Sequence, residues 1–386
     1  MNTKRYSLLI LIIITSLVVL TGCWNYHDIE KYSIVSGFAI DKNIQENNYL
    51  VTVEIIDFEM SGKEAKQVSK LVSSEGSTIL DAIRNIINAT GKKLYWAHSN
   101  IVIISEEIAR EGISAVLDLI FRDAEMREEM YVLISKGNMA QEILEHESVK
   151  SELHSAEIKQ MLQGQDRLAK APSIKVYEFV EDVEQEGLSA VLPAIIIEKN
   201  EQKYIPRITG TAIFKSDKLI GFLDDNETKS LLFVKNKVNK GVLNLYERSA
   251  SKMDNVSLEI LRAKTKLKPE FSNGKLTIKI EIKPEVSIAE IENSLDYVKE
   301  ENMDKLKKDA EELLKSSVEN LIKKVQDNYS TDIFGFGMYI KADMPSVWKE
   351  IKSDWDNLFK KINVNVNVDI KIRNSALVSK TIKKGD

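Results

Sequence analysis

The chain has 386 residues, with 54 Lys and Arg against 59 Asp and Glu, 43% hydrophobic residues, six prolines and one cysteine. That composition excludes a disordered polymer, the acidic balance gives no electrostatic footing for nucleic acid, and a single cysteine excludes an intrachain disulfide or a thiolate metal cluster. The length suits about two domains at ~100–200 residues each.

The first element is an export signal. Lys4 and Arg5 precede an almost wholly apolar run over residues 6–20, and Thr21 and Gly22 are small residues of the kind a signal peptidase accepts. The run falls short of the ~20 apolar residues that span a bilayer comfortably, so cleavage is expected rather than a retained helix. Leu20, Thr21, Gly22 and Cys23 resemble the bacterial lipobox, which implies that the Cys23 sulfur takes a diacylglycerol and, after cleavage, that its new amino group is acylated (N-palmitoyl, S-diacylglycerol). The bland alternative is an ordinary signal peptide with a chance cysteine, or an uncleaved anchor. Two acyl chains give the stable anchoring that one does not. Loss of residues 1–22 leaves 52 basic against 59 acidic side chains, a formal charge of −7, so the lipid and not the protein's charge would hold the membrane.

Beyond the anchor, YSIVSGFAID and YLVTVEIIDF read as a hairpin, and STILDAIRNIINATG as a helix stopped by Gly91. NIVIIS predicts a strand, 106–121 a helix, MYVLISKG a strand and 138–163 helical structure; VYEFVEDVEQ stays open, and AVLPAIIIEK returns to strand. The polar, proline-bearing stretch 199–207 is the linker candidate. After it, ITGTAIFKSDKLIGFL predicts a hairpin turning at Ser216 and Asp217, and DDNETKSLLFVKN a helix capped by an acid. SLEILRAKTKLKPEF and KLTIKIEIKPEV form a second hairpin around SNGK.

Residues 303–329 carry the longest helical pattern, with an expected seam of Met303, Leu306, Ala310, Leu313, Ser317, Leu321 and Val325. A helix lying across a sheet is the plain reading; a partner-binding coiled coil is the sharper one, weakened by the serine in the seam. In NVNVNVDIKI, Val364, Val366, Val368 and Ile370 share one face. The expected architecture is therefore α+β, a multi-domain mixed ectodomain with mostly antiparallel sheets and a long amphipathic helix near the C-terminus. Its expected divisions are a cleaved signal at 1–22, an N-terminal domain at 23–200 and a C-terminal domain at 207–380.

Catalytic chemistry finds little support in these residues. His146 and His154 lie eight apart but lack a third ligand, so a surface position is expected for both; His27 has no motif; His98, before a strand, is expected partly buried and satisfied. FGFG at 334–337 lacks the third glycine, the helix opening and the downstream acid of a dinucleotide fingerprint and reads as a glycine-shaped turn. The acids around Asp123 read as a solvated helix end. The chain is read as non-enzymatic, with no cofactor or metal.

Several ordered stretches together resemble the Ger(x)C family, the C-subunit lipoproteins of spore germinant receptors: LTGCWNYHDIEKYSIVSGFAIDK, AHSNIVIISEEIAREGISAVLDLIFRDAEMREEMYVLISKG, ITGTAIFKSDKLIGFLDDNET, and NYSTDIFGFG followed by MPSVWKEIKSDW. The resemblance implies a lipid-anchored subunit on the outer face of the spore inner membrane. It would sit beside A-type and B-type polytopic membrane subunits, with the small-molecule germinant bound by the complex and not by this chain. Cys23 carries over as the lipidation site. Asp41, His98, Arg122, Asp123, Gly210, Asp332, Gly335, Gly337, Trp348 and Trp355 carry over as family-pattern or interface positions without assigned chemistry. Trp348 and Trp355, seven apart, would share a helix face. Where a closing glycine is expected, this chain has Asn374 and Ser375. A solute-binding lipoprotein of a transporter is the alternative from a different class, and an extracytoplasmic hydrolase using His98 or Asp123 a third.

Overall fold

The computed structural model describes residues 5–8, 10, 15–16, 31–43, 45–61, 64–146, 153–201, 203–249, 252–291 and 299–373. Cys23, His27 and the turn at Asn374 and Ser375 lie outside them. Two sheets organise the chain, one of nine strands and one of five.

The first sheet starts with the expected hairpin, β1 (Tyr32–Asn43) and β2 (Asn48–Ser61), extended by a third strand, β3 (Glu64–Gly76). Helix α1 (Ile79–Thr90) begins where the Thr78 side chain accepts from Asp81 N and ends on Gly91 at φ 66°. There follow β4 (Lys93–Tyr95) and β5 (Ile101–Ser105). The helix expected over 106–121 is two, α2 (Glu106–Glu111) and α3 (Ser114–Arg122), broken at Gly112, whose φ of 140° no helix accommodates. Strand β6 (Tyr131–Ser135) leads to α4 (Ala140–Leu144), α5 (His154–Gln163), α6 (Gln165–Leu168) and α7 (Val176–Glu184), so VYEFVEDVEQ is helical. Then come β7 (Val191–Asn200), β8 (Lys203–Lys215) and β9 (Lys218–Leu223).

The strand order is β3-β2-β1-β5-β6-β7-β8-β9, with β4 alongside β1. The outer ladders are antiparallel; β1, β5, β6 and β7 run parallel. IVIIS in β5 is buried at every position, as a strand covered on both faces must be. One cover is α1, α2, α3 and α7 over Phe38, Ile104 and Val132; the other is α4 and α5 over Ala39, Ile103 and Leu133. The stretch 199–207 is not a linker between bodies: Asn200 pairs with Lys203, and β7 and β8 form a hairpin that carries the sheet across this point.

The second half opens on α8 (Asp225–Val234), where Asp224 accepts from Asn226 N and Glu227 N while Glu227 reaches back, the acidic cap the sequence predicts. Strands β10 (Gly241–Ser249), β11 (Lys252–Ser272) and β12 (Lys275–Ile291) form a long antiparallel sheet. The turn at Asn273 and Gly274, at φ 50° and 71°, suits the twist of a two-residue hairpin. Helix α9 (Glu300–Lys324) and a π-helical turn at Val325–Tyr329 cross that sheet. The seam differs from expectation. Leu306, Ala310, Leu314, Val318, Leu321, Ile322 and Val325 are buried, Leu313 is exposed, and Ser317 faces outward with its hydroxyl donating to Leu313 O. Successive steps of four keep the buried row on one side; with the serine outside it, the helix packs on its own sheet in one core.

Three short helices, α10 (Phe336–Asp343), α11 (Pro345–Ile351) and α12 (Trp355–Phe359), precede β13 (Asn363–Val368) and β14 (Lys371–Arg373). Both strands pair in parallel with β12. Val366, Val368 and Ile370 are buried and Val364 is half-buried, with Asn363, Asn365 and Asn367 exposed, as the alternation predicts. The fold is α+β with mixed sheets and several structural parts.

Candidate functional site

Five of the family-pattern residues meet at one place. Asp332 is buried in a turn between α9 and α10, and its carboxylate accepts from Phe334 N (3.1 Å) and Gly335 N (2.9 Å) on Oδ1 and from Gly337 N (2.8 Å) on Oδ2. Burial raises its pKa to about 6 against those hydrogen bonds, which favour the ionised form. Gly335 takes the left-handed conformation at φ 80° that lets α10 start there.

The partner of this turn is the loop between α7 and β7. Ser189 N donates to Asp332 O at 2.7 Å, and the Ser189 and Thr331 hydroxyls are 2.6 Å apart. Gly187, at φ 78°, lies so close to α10 that a Cβ on it would stand 2.6 Å from Gly337 C; a Cβ on Gly337 would stand 2.6 Å from Gly187 Cα and 2.9 Å from Trp348 Cη2. Sequence reading names Gly337 and misses Gly187, whose local signal is no more than a glycine in the polar stretch EQEGLS.

Trp348 and Trp355 are buried and touch edge to face, with ring centroids 5.4 Å apart, so packing is their first role. Trp348 Nε1 donates to Glu186 Oε2 at 3.5 Å, while Trp355 Nε1 is buried with no hydrogen-bond partner among the described residues. Lys341 and Lys352 pair with Glu186 at 3.1 and 3.3 Å and hold its carboxyl below the usual range. Beside the tryptophans runs a groove of about 570 Å³ whose walls include Lys215, Lys352, Lys360 and Asp356. Lys215 and Asp356 form an ion pair across it at 2.7 Å.

Other predicted residues lie apart. Asp41, buried at the end of β1, accepts from Ala140 N (2.7 Å) and Gln141 N (2.8 Å) and so caps α4; burial raises its pKa to about 6. Gly210 sits in β8 at φ 73°, with Leu223 O directly over the place a Cβ would take. Arg122 is exposed on α3 and paired with Asp118 at 2.6 Å; Asp123, half-buried, accepts from Glu125 N. Both border a groove of about 560 Å³ with Tyr49, Ile79, Leu80 and Leu119. His98 is exposed in the turn before β5, its ring 5.9 Å from that of Tyr95, and not the partly buried, satisfied imidazole expected.

The expected surface position of His146 and His154 also fails. The His146 side chain is fully buried and that of His154 largely so, their rings 4.9 Å apart at the start of α5. His154 adjoins Glu54, a fully buried carboxylate in β2. Glu54 Oε1 accepts from His154 N (2.6 Å), His154 Nδ1 (2.9 Å) and Ser69 Oγ (2.7 Å), and Oε2 from Ser36 Oγ (2.7 Å) and Ser155 N (2.9 Å). Burial raises the Glu54 pKa, but these donors outweigh it and bring it to about 2. Burial lowers that of His146. The sequence offers no hint of Glu54, because VTVEIIDF alternates and predicts Thr52 and Glu54 on a wet face; α5 covers that face. Asp41, Glu54 and Asp332 thus do one job in three places: each ties the first backbone N–H groups of a following segment to a buried strand or turn.

Two family models in order match most of the chain. The N-terminal domain model of spore germination proteins matches residues 25–197, and the model described as spore germination B3/GerAC like, C-terminal, matches 209–376. The chain is 27% identical over 381 residues to spore germination protein B3 of Bacillus subtilis (strain 168), covering 94% of this chain and 96% of that protein. It is 24% identical over 403 residues to spore germination protein KC of the same strain, covering 98% of each. The crystal structure of the GerBC protein shares the fold, with a TM-score of 0.56 at 23% identity over 89% of this chain and 99% of that one. Gly187 and Gly337 come one from each matched region, and with both regions present in order the chain belongs to the Ger(x)C family of spore germination proteins.

Proposed function

We propose that this chain is a lipid-anchored, non-enzymatic subunit of a spore germinant receptor, acting in nutrient-triggered germination by assembling with two polytopic membrane subunits. The observation that carries the reading is the full-length, ordered match to spore germination proteins B3 and KC. The geometry agrees with a scaffold: the family-pattern residues Asp41, Gly210, Asp332, Gly335 and Gly337 serve as caps and close contacts. Cys23 is the lipid attachment point in this reading, the signal ends at residue 22, and the domains at 23–200 and 207–380, which meet within the β7–β8 hairpin and share its sheet, stand on the outer face of the spore inner membrane. Among the described residues no helix is long and apolar enough to cross a membrane.

The test is affinity purification of the tagged full-length chain from detergent-solubilised inner membranes of dormant spores, with mass spectrometry of what accompanies it. Two polytopic subunits are expected to co-purify. Recovery with transporter components of growing cells would overturn the reading in favour of a solute-binding lipoprotein. Cys23→Ala is expected to release the chain from the membrane, and retention of a cleaved Cys23→Ala chain in high salt would exclude the anchor, since salt screens electrostatic adhesion.

A further inference from the structure

Strand β2 outruns its neighbour. The last residues of β1 in register with it are Ile34 opposite Ile56, yet β2 continues through Asp57, Phe58, Glu59 and Met60, paired with β3 alone as far as Ser61 opposite Glu64. The extra residues form a two-stranded arm reaching ~17 Å past Ile56 at ~3.3 Å per residue. Because β1 and β2 are antiparallel, the arm points the way the chain comes from before Tyr32.

The same end of the sheet carries an apolar stripe. Ile34 is in register with Ile56 on one side and with Tyr95 on the other. By strand alternation Tyr32, Ile34, Tyr95, Ile56, Phe58 and Met60 therefore share one face. Burial falls along it: Ile34 and Ile56 are half-buried, Tyr95 is 37% exposed, Phe58 61% and Met60 72%. The Tyr32 and Tyr95 rings touch edge to face at 5.9 Å, with Lys93 Nζ 6.0 Å over Tyr32. Asp57 and Glu59 take the opposite face and are exposed. An exposed Phe and Met at a strand tip, backed by two tyrosines and a lysine, is the residue mixture that sits at a lipid headgroup boundary.

We infer that this sheet end is the membrane-facing surface of the chain, with Phe58 and Met60 set into the outer leaflet of the bilayer that holds the acyl chains. The inference rests on the lipid-anchor reading and adds an orientation to it. Covalent length supports the occupant. Eight residues lie between Cys23 and Tyr32, nine steps along the chain, so an anchored sulfur keeps the start of β1 within ~30 Å of the leaflet at ~3.3–3.6 Å per residue, on the side toward which the arm points. The mature chain's acidic balance gives the leaflet no electrostatic hold, which leaves apolar contact. Two side chains would not bind a vesicle unaided, but tethering makes the contact intramolecular and a weak contact sufficient.

The experiment places one dye at the arm and one at the far end of the same strands. In the lipidated chain the Cys23 sulfur is a thioether, so Met60→Cys supplies the free thiol for an environment-sensitive fluorophore; Glu46→Cys, in the exposed β1–β2 turn, is the control. Both full-length lipoproteins are reconstituted into phosphatidylethanolamine–phosphatidylglycerol vesicles containing doxyl-labelled lipid, with circular dichroism to check folding. The label at position 60 is expected to shift to the blue and to lose intensity to the doxyl lipid, with no change at position 46, and Phe58→Asp is expected to diminish the loss. A chain that floats with the vesicles while both labels stay equally wet overturns the arm and leaves the anchor standing. Shielding at position 60 that requires other spore membrane proteins and shows no lipid quenching overturns it in favour of a protein contact. Reaction of the unsubstituted, membrane-extracted chain with maleimide at Cys23 overturns the anchor, and the orientation with it.

Discussion

Gly187 and Gly337 touch main chain to main chain, close enough that a Cβ on either would fall 2.6 Å from a backbone carbon of the other. They join the α7–β7 loop to the first turn of α10, with Ser189 N on Asp332 O beside them at 2.7 Å. Gly337→Ala must push this loop away and meets Trp348 on its far side, so a loss of ~1–3 kcal/mol or more is expected. Gly91→Ala is the control: a Cβ there meets nothing within 4 Å, and strain from φ 66° is the sole cost, ~1–2 kcal/mol. Urea midpoints of the two variants against the parent check the ranking. Equal losses would show that the glycine contact yields easily and joins nothing.

The buried carboxylates give opposite pH dependences. The Asp332 pKa is raised from 3.8 to about 6, so its contribution is fully present below pH 3.8 and is lost as pH rises through 6; Asp41 behaves alike. The Glu54 pKa is lowered from 4.5 to about 2, so its contribution is present above pH 4.5 and is lost as pH falls toward 2. Measured against Asp332→Asn, the parent should lose roughly 2 kcal/mol of relative stability between pH 4 and 7. Against Glu54→Gln, the parent should instead gain relative stability from pH 2 to 5. Denaturant melts across pH for the three chains test both signs. A flat difference for Asp332→Asn would mean that its backbone donors balance its burial.

These acids also mark the limit of what sequence could reveal. Hairpins, the Asp224 cap and the NVNVNV strand were legible, because turn chemistry, capping and alternation are local. The residues at 334–337 do make a turn at Gly335, but the helix opening read as missing is present, since α10 starts at Phe336. Glu54 and Thr52 were not legible, since alternation shows which residues share a face and not whether a later helix covers it. Gly187 was hidden for the same reason: its constraint comes from Gly337, far along the chain. The lysine- and proline-bearing 199–207 imitates a linker, yet its polarity only marks the exposed end of a hairpin.

The corrected seam of α9 makes a direct comparison. Leu314 is 3% exposed and Leu313, its neighbour, 38%. Leu314→Ala should cost ~2–5 kcal/mol through lost burial and a cavity against the second sheet, and Leu313→Ala within ~0.5 kcal/mol. Thermal unfolding of both decides it. A larger loss at Leu313 would restore the row through Ser317 and with it the idea of a second helix docking on α9.

Arg122 differs from the buried family-pattern residues in having no fold-holding role. Its guanidinium is exposed and paired with Asp118 within one helix at 2.6 Å, where solvent screens the pair, so Arg122→Ala should leave the unfolding midpoint almost unchanged. Beside it lies the groove lined by Tyr49, Ile79, Leu80 and Leu119, with Leu80 44% exposed. An arginine at the rim of an apolar groove is a common anchor in protein interfaces. In the receptor reading, Arg122→Ala should therefore lower recovery of the membrane subunits in the spore purification and slow germination, while protein level and thermal stability hold. Trp348→Ala is the contrast, since removing a buried ring should reduce both protein level and recovery. Normal recovery and germination of Arg122→Ala would remove this face from the interface and return Arg122 to the solvated helix end that the charge pattern describes.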